Sequence, residues 1–260
     1  MFGVTQLRDV VYVVSGLSSA ICRHNATTHR RLTDIVATGL SYPTDIVACE
    51  LTSQLYVSDN YQCVWRVSSD GVDIKCWLPK SPSDMIKPDT LSVTSSRLLV
   101  TSLEDRQLIQ FDAAGSDELR RVGLPDYMYP RHAVESPTGT FIVGHKNTQL
   151  NQDQVSEVST EGQVLRHFSG SSLDWPAYIA IDRQRNVFVA DSVKRHILLL
   201  DVQLALRRVI IDARQLNCRR PGSLRYVEQR PRRLCYMEQS GQLLVGFSEG
   251  SVAVFHVLRR

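Results

Sequence analysis

A valine-marked unit recurs six times along the chain, and a repeat of that length leaves few folds open. Short strand-like runs appear at Val10–Val14, Gln54–Ser58, Arg97–Thr101, Thr140–Gly144, Asn186–Ala190 and Gln242–Gly246. With Val13, Val57, Val100, Val143, Val189 and Val245 as phase marks, the spacings are 44, 43, 43, 46 and 56 residues. A proline precedes five of these valines by 12 to 14 residues: Pro43, Pro88, Pro130, Pro176 and Pro231. Proline suits the start of a strand, where its missing N–H costs no ladder bond. A second alternating run follows in most units (Val64–Val67, Leu108–Phe111, Ile197–Leu200, Val252–Phe255), then turn residues such as Asp70-Gly71 or Glu161-Gly162, then a further extended piece.

Four short strands per unit, a period in the low forties and no sustained 3.6-residue periodicity predict an all-β chain. The expected fold is a six-bladed β-propeller of four-stranded antiparallel blades, one domain over residues 1–260. The 56-residue spacing requires an insertion, placed at about Arg214–Gln229. Pro231 is preferred over Pro221 as the last anchor, because Leu234–Phe255 then aligns with Ile46–Val67 without a gap. Aligning Phe2–Thr5 with Ile46–Cys49 makes the chain begin on an inner strand. The last blade is then expected to have only three strands, with Val252–Val257 an open edge and the ring closed by packing against Phe2–Thr5.

Two segments carry a family likeness. YPTDIVACELTSQLYVSDNYQCVWRVSSDG (Tyr42–Gly71) and WPAYIAIDRQRNVFVADSVKRHILLLD (Trp175–Asp201) resemble NHL repeats, and Tyr129–Gly144 and Arg230–Val257 are weaker copies. The resemblance implies a propeller like those of the tripartite-motif NHL proteins. There the propeller commonly selects the substrate or cargo of a ubiquitin ligase, and some members bind RNA on a basic face. The aspartate that follows the second strand in this pattern is present as Asp59 and Asp191. Its equivalents are Ser15, Ser102, His145 and Phe247, so its expected role is to tie turns together rather than to catalyse.

Equivalence also defines a candidate binding ring. The residues two places after the anchoring prolines are Asp45, Thr90, His132, Tyr178 and Arg233, expected together near one mouth of the central channel. Propeller enzymes with similar repeats (amidating lyases, strictosidine-synthase-like proteins, gluconolactonases) need several Asp, Glu, Asn or His ligands on one metal. This ring offers one Asp, one His and an Arg that repels cations. No metal, no cofactor and no catalytic residue is therefore expected, and a propeller hydrolase or lyase stands as the lesser alternative. His132 and His145 share a unit, and each is expected to satisfy a loop backbone group or to face solvent. Cys22, Cys49, Cys63, Cys76, Cys218 and Cys235 form no CxxC pair and read as buried free thiols.

Charge is distributed unevenly. Residues 1–179 hold 15 basic against 20 acidic side chains, a balance of −5; residues 180–260 hold 15 against 7, a balance of +8. Of the 30 basic residues, 25 are Arg, whose planar fork suits carboxylate and phosphate. Arg207, Arg208, Arg219, Arg220 and Arg232 form the candidate basic patch. The first expectation is a non-enzymatic scaffold that presents one face to a protein or peptide; the alternative is an RNA-binding propeller using these arginines, with Tyr226 and Tyr236 the aromatics nearest them. No apolar run nears the ~20 residues of a membrane span, and Arg8 and Asp9 interrupt any signal-like start, so a cytoplasmic monomer is expected unless the open edge pairs with another chain.

Overall fold

The valine-marked runs are the second strands of six antiparallel sheets. The computed structural model describes residues 2–16, 18–59, 63–78, 86–94, 96–114, 117–216, 229–237, 240–248 and 250–257. Blade 1 is β1 (Phe2–Leu7), β2 (Val10–Ser15), β3 (Ala20–Asn25) and β4 (Ile35–Val36). Blade 2 is β5 (Pro43–Cys49), β6 (Gln54–Asp59), β7 (Cys63–Ser68) and β8 (Ile74–Leu78). Blade 3 is β9 (Thr90–Thr94), β10 (Arg97–Ser102), β11 (Gln107–Asp112) and β12 (Glu118–Gly123). Blade 4 is β13 (Met128–Glu135), β14 (Phe141–Asn147), β15 (Gln152–Val158) and β16 (Val164–Ser169). Blade 5 is β17 (Pro176–Ile181), β18 (Val187–Asp191), β19 (His196–Leu200) and β20 (Leu206–Ile211), followed by one helical turn, α1 (Ala213–Leu216). Blade 6 is β21 (Pro231–Met237), β22 (Gln242–Phe247) and β23 (Val252–His256).

Within each sheet the strands pair in chain order, and first strands pack one on the next: β1 on β5, β5 on β9, β9 on β13, β13 on β17, β17 on β21, and β21 back on β1. The result is a six-bladed β-propeller. Pro231 does open the first strand of blade 6, as expected, and Pro221 lies outside the described residues. Blade 6 shows three strands, and among the described residues nothing pairs with the outer side of β23. One alignment needs correcting. Val4, not Phe2, faces Val13 across the first hairpin, just as Ile46 faces Val57. The blade 1 hairpin turns on Arg8-Asp9 alone, two residues shorter than the Glu50–Ser53 turn of blade 2, so the equivalence shifts by two. An even shift keeps every side chain on its original face.

The apolar faces fill the gaps between blades. Val47, Tyr56, Trp77, Leu91, Leu98 and Phe111 join blades 2 and 3, with the Trp77 ring edge-on to Tyr56 at 5.0 Å and to Phe111 at 5.6 Å. Four further clusters of similar composition lie between blades 1 and 2, 3 and 4, 4 and 5, and 5 and 6. Tyr236 belongs to the last of these, stacked on Phe188 at 4.8 Å, so it packs against a core. Among the described residues the seam between blades 6 and 1 has fewer buried members: Val4, Val11 and Leu244, with partly buried Val13, Met237, Val252 and Val254 against them, where each of the others has 9 to 13 buried members. No helix among the described residues is long and apolar enough to cross a membrane.

Candidate functional site

Chain direction sets which residues meet. Each first strand starts at one end of the channel, which is also where the turn between second and third strands lies. Asp59 ties these two loops together in blade 2, accepting from Ser41 N at 2.9 Å, Tyr42 N at 2.5 Å and Trp65 Nε1 at 3.2 Å. Asp191 does the same in blade 5, with Asp174 N, Val193 N and Lys194 N. The turn-tying role expected for this aspartate is what the hydrogen bonds describe. Blade 3 has Ser102 at that place, and Asp89, from the opposite loop, holds Leu103 N at 2.7 Å instead. Burial pushes both Asp89 and Asp191 up to about 6.

All five residues of the expected ring converge at this mouth, and all are buried. Asp45 is their hub. Its Oδ1 accepts from Ile46 N at 3.0 Å and Arg233 Nε at 3.1 Å, and its Oδ2 from Leu91 N at 3.0 Å and the Tyr178 hydroxyl at 3.3 Å. Burial raises the Asp45 carboxyl, and Arg233, the two backbone N–H groups and Tyr178 oppose it. Arg233 also donates to Thr44 O at 2.8 Å, so blade 6 reaches blade 2 past blade 1. Gly3 makes that reach feasible. It is the ring position of blade 1, and a Cβ there would lie 2.7 Å from Ile46 N.

His132 closes the other side. Its Nδ1 accepts from Ile179 N at 3.2 Å, which leaves the proton on Nε2 to be donated to Leu91 O at 3.2 Å. Desolvation, with the Arg233 charge adding to it, pushes the imidazole down to about 3, so it is neutral. Tyr178 stacks on it at 3.5 Å, with the Arg233 Cζ 5.1 Å from the Tyr178 ring centroid, and Thr90 Oγ1 donates to Arg131 O at 3.0 Å. The ring is thus a plug whose polar groups bond mainly one another and neighbouring backbone. His145, expected on a loop or in solvent, is buried in β14 and bonded to Ser156 Oγ at 2.8 Å; burial lowers it to about 4. Among the described residues no group of three His, Cys, Asp or Glu is placed to hold a metal.

Around the plug lies a feature the sequence reading did not single out. Ladder registers skip one residue between Pro43 and Asp45, Pro130 and His132, Pro176 and Tyr178, and Pro231 and Arg233. A β-bulge therefore recurs at the same place in four blades, with Thr44, Arg131, Ala177 and Arg232 as the extra residues; bulges bend a strand and re-aim a side chain. One step outside each proline stand Tyr42, Lys87, Tyr129, Trp175 and Arg230. Tyr42, Tyr129 and Trp175 are 40%, 37% and 41% exposed, and they are the exposed large aromatics among the described residues. Arg131 lies over Trp175 with its Cζ 3.9 Å from the ring centroid and pairs with Asp153. The repeat signal for this rim was present, since a Tyr or Trp precedes three of the five anchoring prolines.

The described members of the basic patch are not brought together. Arg207 and Arg208 lie early in β20, the outermost strand of blade 5, near the opposite end of the channel, and Arg207 is 3.7 Å from Asp201. Arg232 sits at the mouth on the innermost strand of blade 6. Arg219, Arg220, Cys218 and Tyr226 lie outside the described residues. The remaining cysteines, Cys22, Cys49, Cys63, Cys76 and Cys235, form no disulfide among the described residues, but the burial expected of them holds fully for Cys49 alone of these five: Cys22, Cys63 and Cys235 are half-buried and Cys76, on the outermost strand of blade 2, is exposed.

Comparison with known proteins agrees with the geometry at the level of fold. No family model matches the chain, and no curated protein matches it in sequence. Among solved structures, a chain of the crystal structure of a nidogen/laminin complex superimposes with a TM-score of 0.67 at 14% identity, covering 82% of this chain and 81% of that one. At that identity the likeness is to the propeller itself.

Proposed function

We propose that this protein is a non-enzymatic propeller scaffold that binds a protein or peptide at the mouth where its first strands begin. One observation carries the reading. The exposed large aromatics among the described residues, Tyr42, Tyr129 and Trp175, all stand around that mouth, with Arg131 beneath Trp175. Aromatic residues and Arg are the types enriched at protein interfaces and at their energetic centres. Rigid hydrogen-bonded loops, held by Asp59 and Asp191, present them at little ordering cost. The plug beneath favours a binder over a catalyst, because its acid, base and cation are spent on one another. The nidogen/laminin neighbour, itself part of a protein complex, is in keeping with this use of the fold.

The NHL-like segments support a narrower version, in which the propeller selects the substrate of a ubiquitin-ligase-like assembly. RNA binding is the weaker reading, since Arg207 and Arg208 are separated from Arg232 by the length of the channel. The test is affinity capture from source lysate with and without nuclease, comparing wild type, Trp175→Ala/Tyr129→Ala, and Leu51→Ser/Val72→Ser at the opposite end. Nuclease-resistant partners lost only from the aromatic variant are expected. Equal capture by both variants would refute the assignment of the face, and loss on nuclease treatment would favour RNA.

A further inference from the structure

Arg232 is an anomaly at this mouth. It is the bulge residue of β21, half-buried, and among the described residues its guanidinium has no hydrogen bond and no carboxylate partner. Its charged neighbours are Arg233, Arg230 and Arg131, and they act with burial to lower its affinity for its own proton. Arg233 is paired with Asp45 and Arg131 with Asp153. A half-buried cation facing other cations costs stability. The same arrangement, partly exposed at the mouth where Arg131 stacks on Trp175, is what a carboxylate needs, because fork-shaped donors bind it at two points.

We infer that Arg232, backed by Arg230 and Arg131 and flanked by Trp175, is a carboxylate subsite for an acidic segment of the partner, an inference that rests on this mouth being the protein-binding face. An acidic peptide fits better than a nucleic acid. These three arginines span blades 4 to 6, and blades 3 to 5 carry Glu104, Asp105, Asp126, Asp153 and Asp174 at the same end. A phosphate backbone running round the mouth meets those carboxylates within a turn. A single Asp or Glu side chain set on Arg232, with an apolar neighbour resting on Trp175, meets fewer of them, and Asp153 is already neutralised by Arg131.

The probe is a random peptide library displayed on phage and panned on the full chain. Enriched peptides are expected to carry Asp or Glu beside an apolar or aromatic residue. A synthetic peptide from that set should bind Arg232→Gln at least about tenfold more weakly, the loss of a charge-assisted hydrogen bond, and Arg232→Lys at an intermediate level. Arg207→Gln/Arg208→Gln, which removes more charge at the far end, should bind as wild type, and Arg232→Gln should melt no lower than wild type. If enriched peptides lose binding to Trp175→Ala/Tyr129→Ala but not to Arg232→Gln, the subsite is wrong and the face stands. If they tolerate both, the face falls too. If enriched peptides lack acidic residues while a single-stranded RNA oligomer loses binding to Arg232→Gln, the site is for nucleic acid and the inference is overturned.

Discussion

Replacing Asp45 by Asn tests the plug with almost no change in shape. The carboxylate accepts four hydrogen bonds, two at each oxygen, and one donor is the buried Arg233 guanidinium. An amide keeps one accepting oxygen and turns an NH2 toward the other pair. Either Ile46 N–H and Arg233, or Leu91 N–H and Tyr178, then face a donor. An orphaned buried donor costs about 1–3 kcal/mol, and a buried charge stripped of its partner about 3–5 kcal/mol. The second figure governs, because the Arg233 side chain is only 5% exposed. At about 2–4 °C per kcal/mol for a chain near this size, the melting temperature should fall by roughly 6–20 °C. Urea unfolding of Asp45→Asn, Arg233→Met and the double variant closes the cycle. The double variant should lose less than the sum of the singles by at least about 1 kcal/mol, because removing both charges leaves neither stranded. A loss below about 1 kcal/mol for Asp45→Asn, or strict additivity, would refute the claim that the pair holds the mouth together.

Other outcomes follow from the same geometry. His132 binds its proton near 3 in the fold against about 6.5 unfolded, so the unfolded chain takes up more protons below 6.5 and stability falls as pH drops; between pH 7 and 5 wild type should lose about 2 kcal/mol more than His132→Gln, and parallel losses would contradict the buried neutral imidazole. Gly3→Ala should cost about 1–3 kcal/mol in denaturant titration, since its Cβ meets the backbone of β5, and an unchanged midpoint would mean that blade 1 is not pressed against blade 2 at that point. Arg232→Met should raise stability by about 0.5–2 kcal/mol while weakening peptide binding, a trade expected where a charge is kept for a ligand; a lower melting temperature would argue that Arg232 is structural.

Much of the architecture was legible because β-strand periodicity and the proline–valine spacing are local signals. They located the second strands within one to three residues and chose Pro231 correctly. The first hairpin escaped because its two-residue turn changes the count without changing the pattern of faces. Convergence of Asp45, Thr90, His132, Tyr178 and Arg233 followed from repeat equivalence alone. What no single unit discloses is that a side chain from one blade satisfies another: Arg233 and Asp45 are far apart in sequence and meet only because Gly3 leaves space between them. The bulges were equally hidden, since an extra residue in a strand has no compositional mark, and they decide where Arg131 and Arg232 point. Charge summed over the last third misled for the same reason, merging arginines that the topology sends to opposite ends.

The thin seam between blades 6 and 1 bears on the order in which the molecule assembles. Five of the six cores join residues one repeat apart, so each can form as soon as two neighbouring blades exist, at modest loop-closure cost. The sixth joins Val4 and Val11 to Leu244, nearly the whole chain away, and has the fewest buried apolar side chains among the described residues with which to offset that distance. It becomes affordable only after the other five have curved the strip and brought its ends near each other. Closure is then the last step of folding and its reversal the first step of unfolding, so that an open arc of intact blades, rather than a disordered chain, is the species next above the native ring.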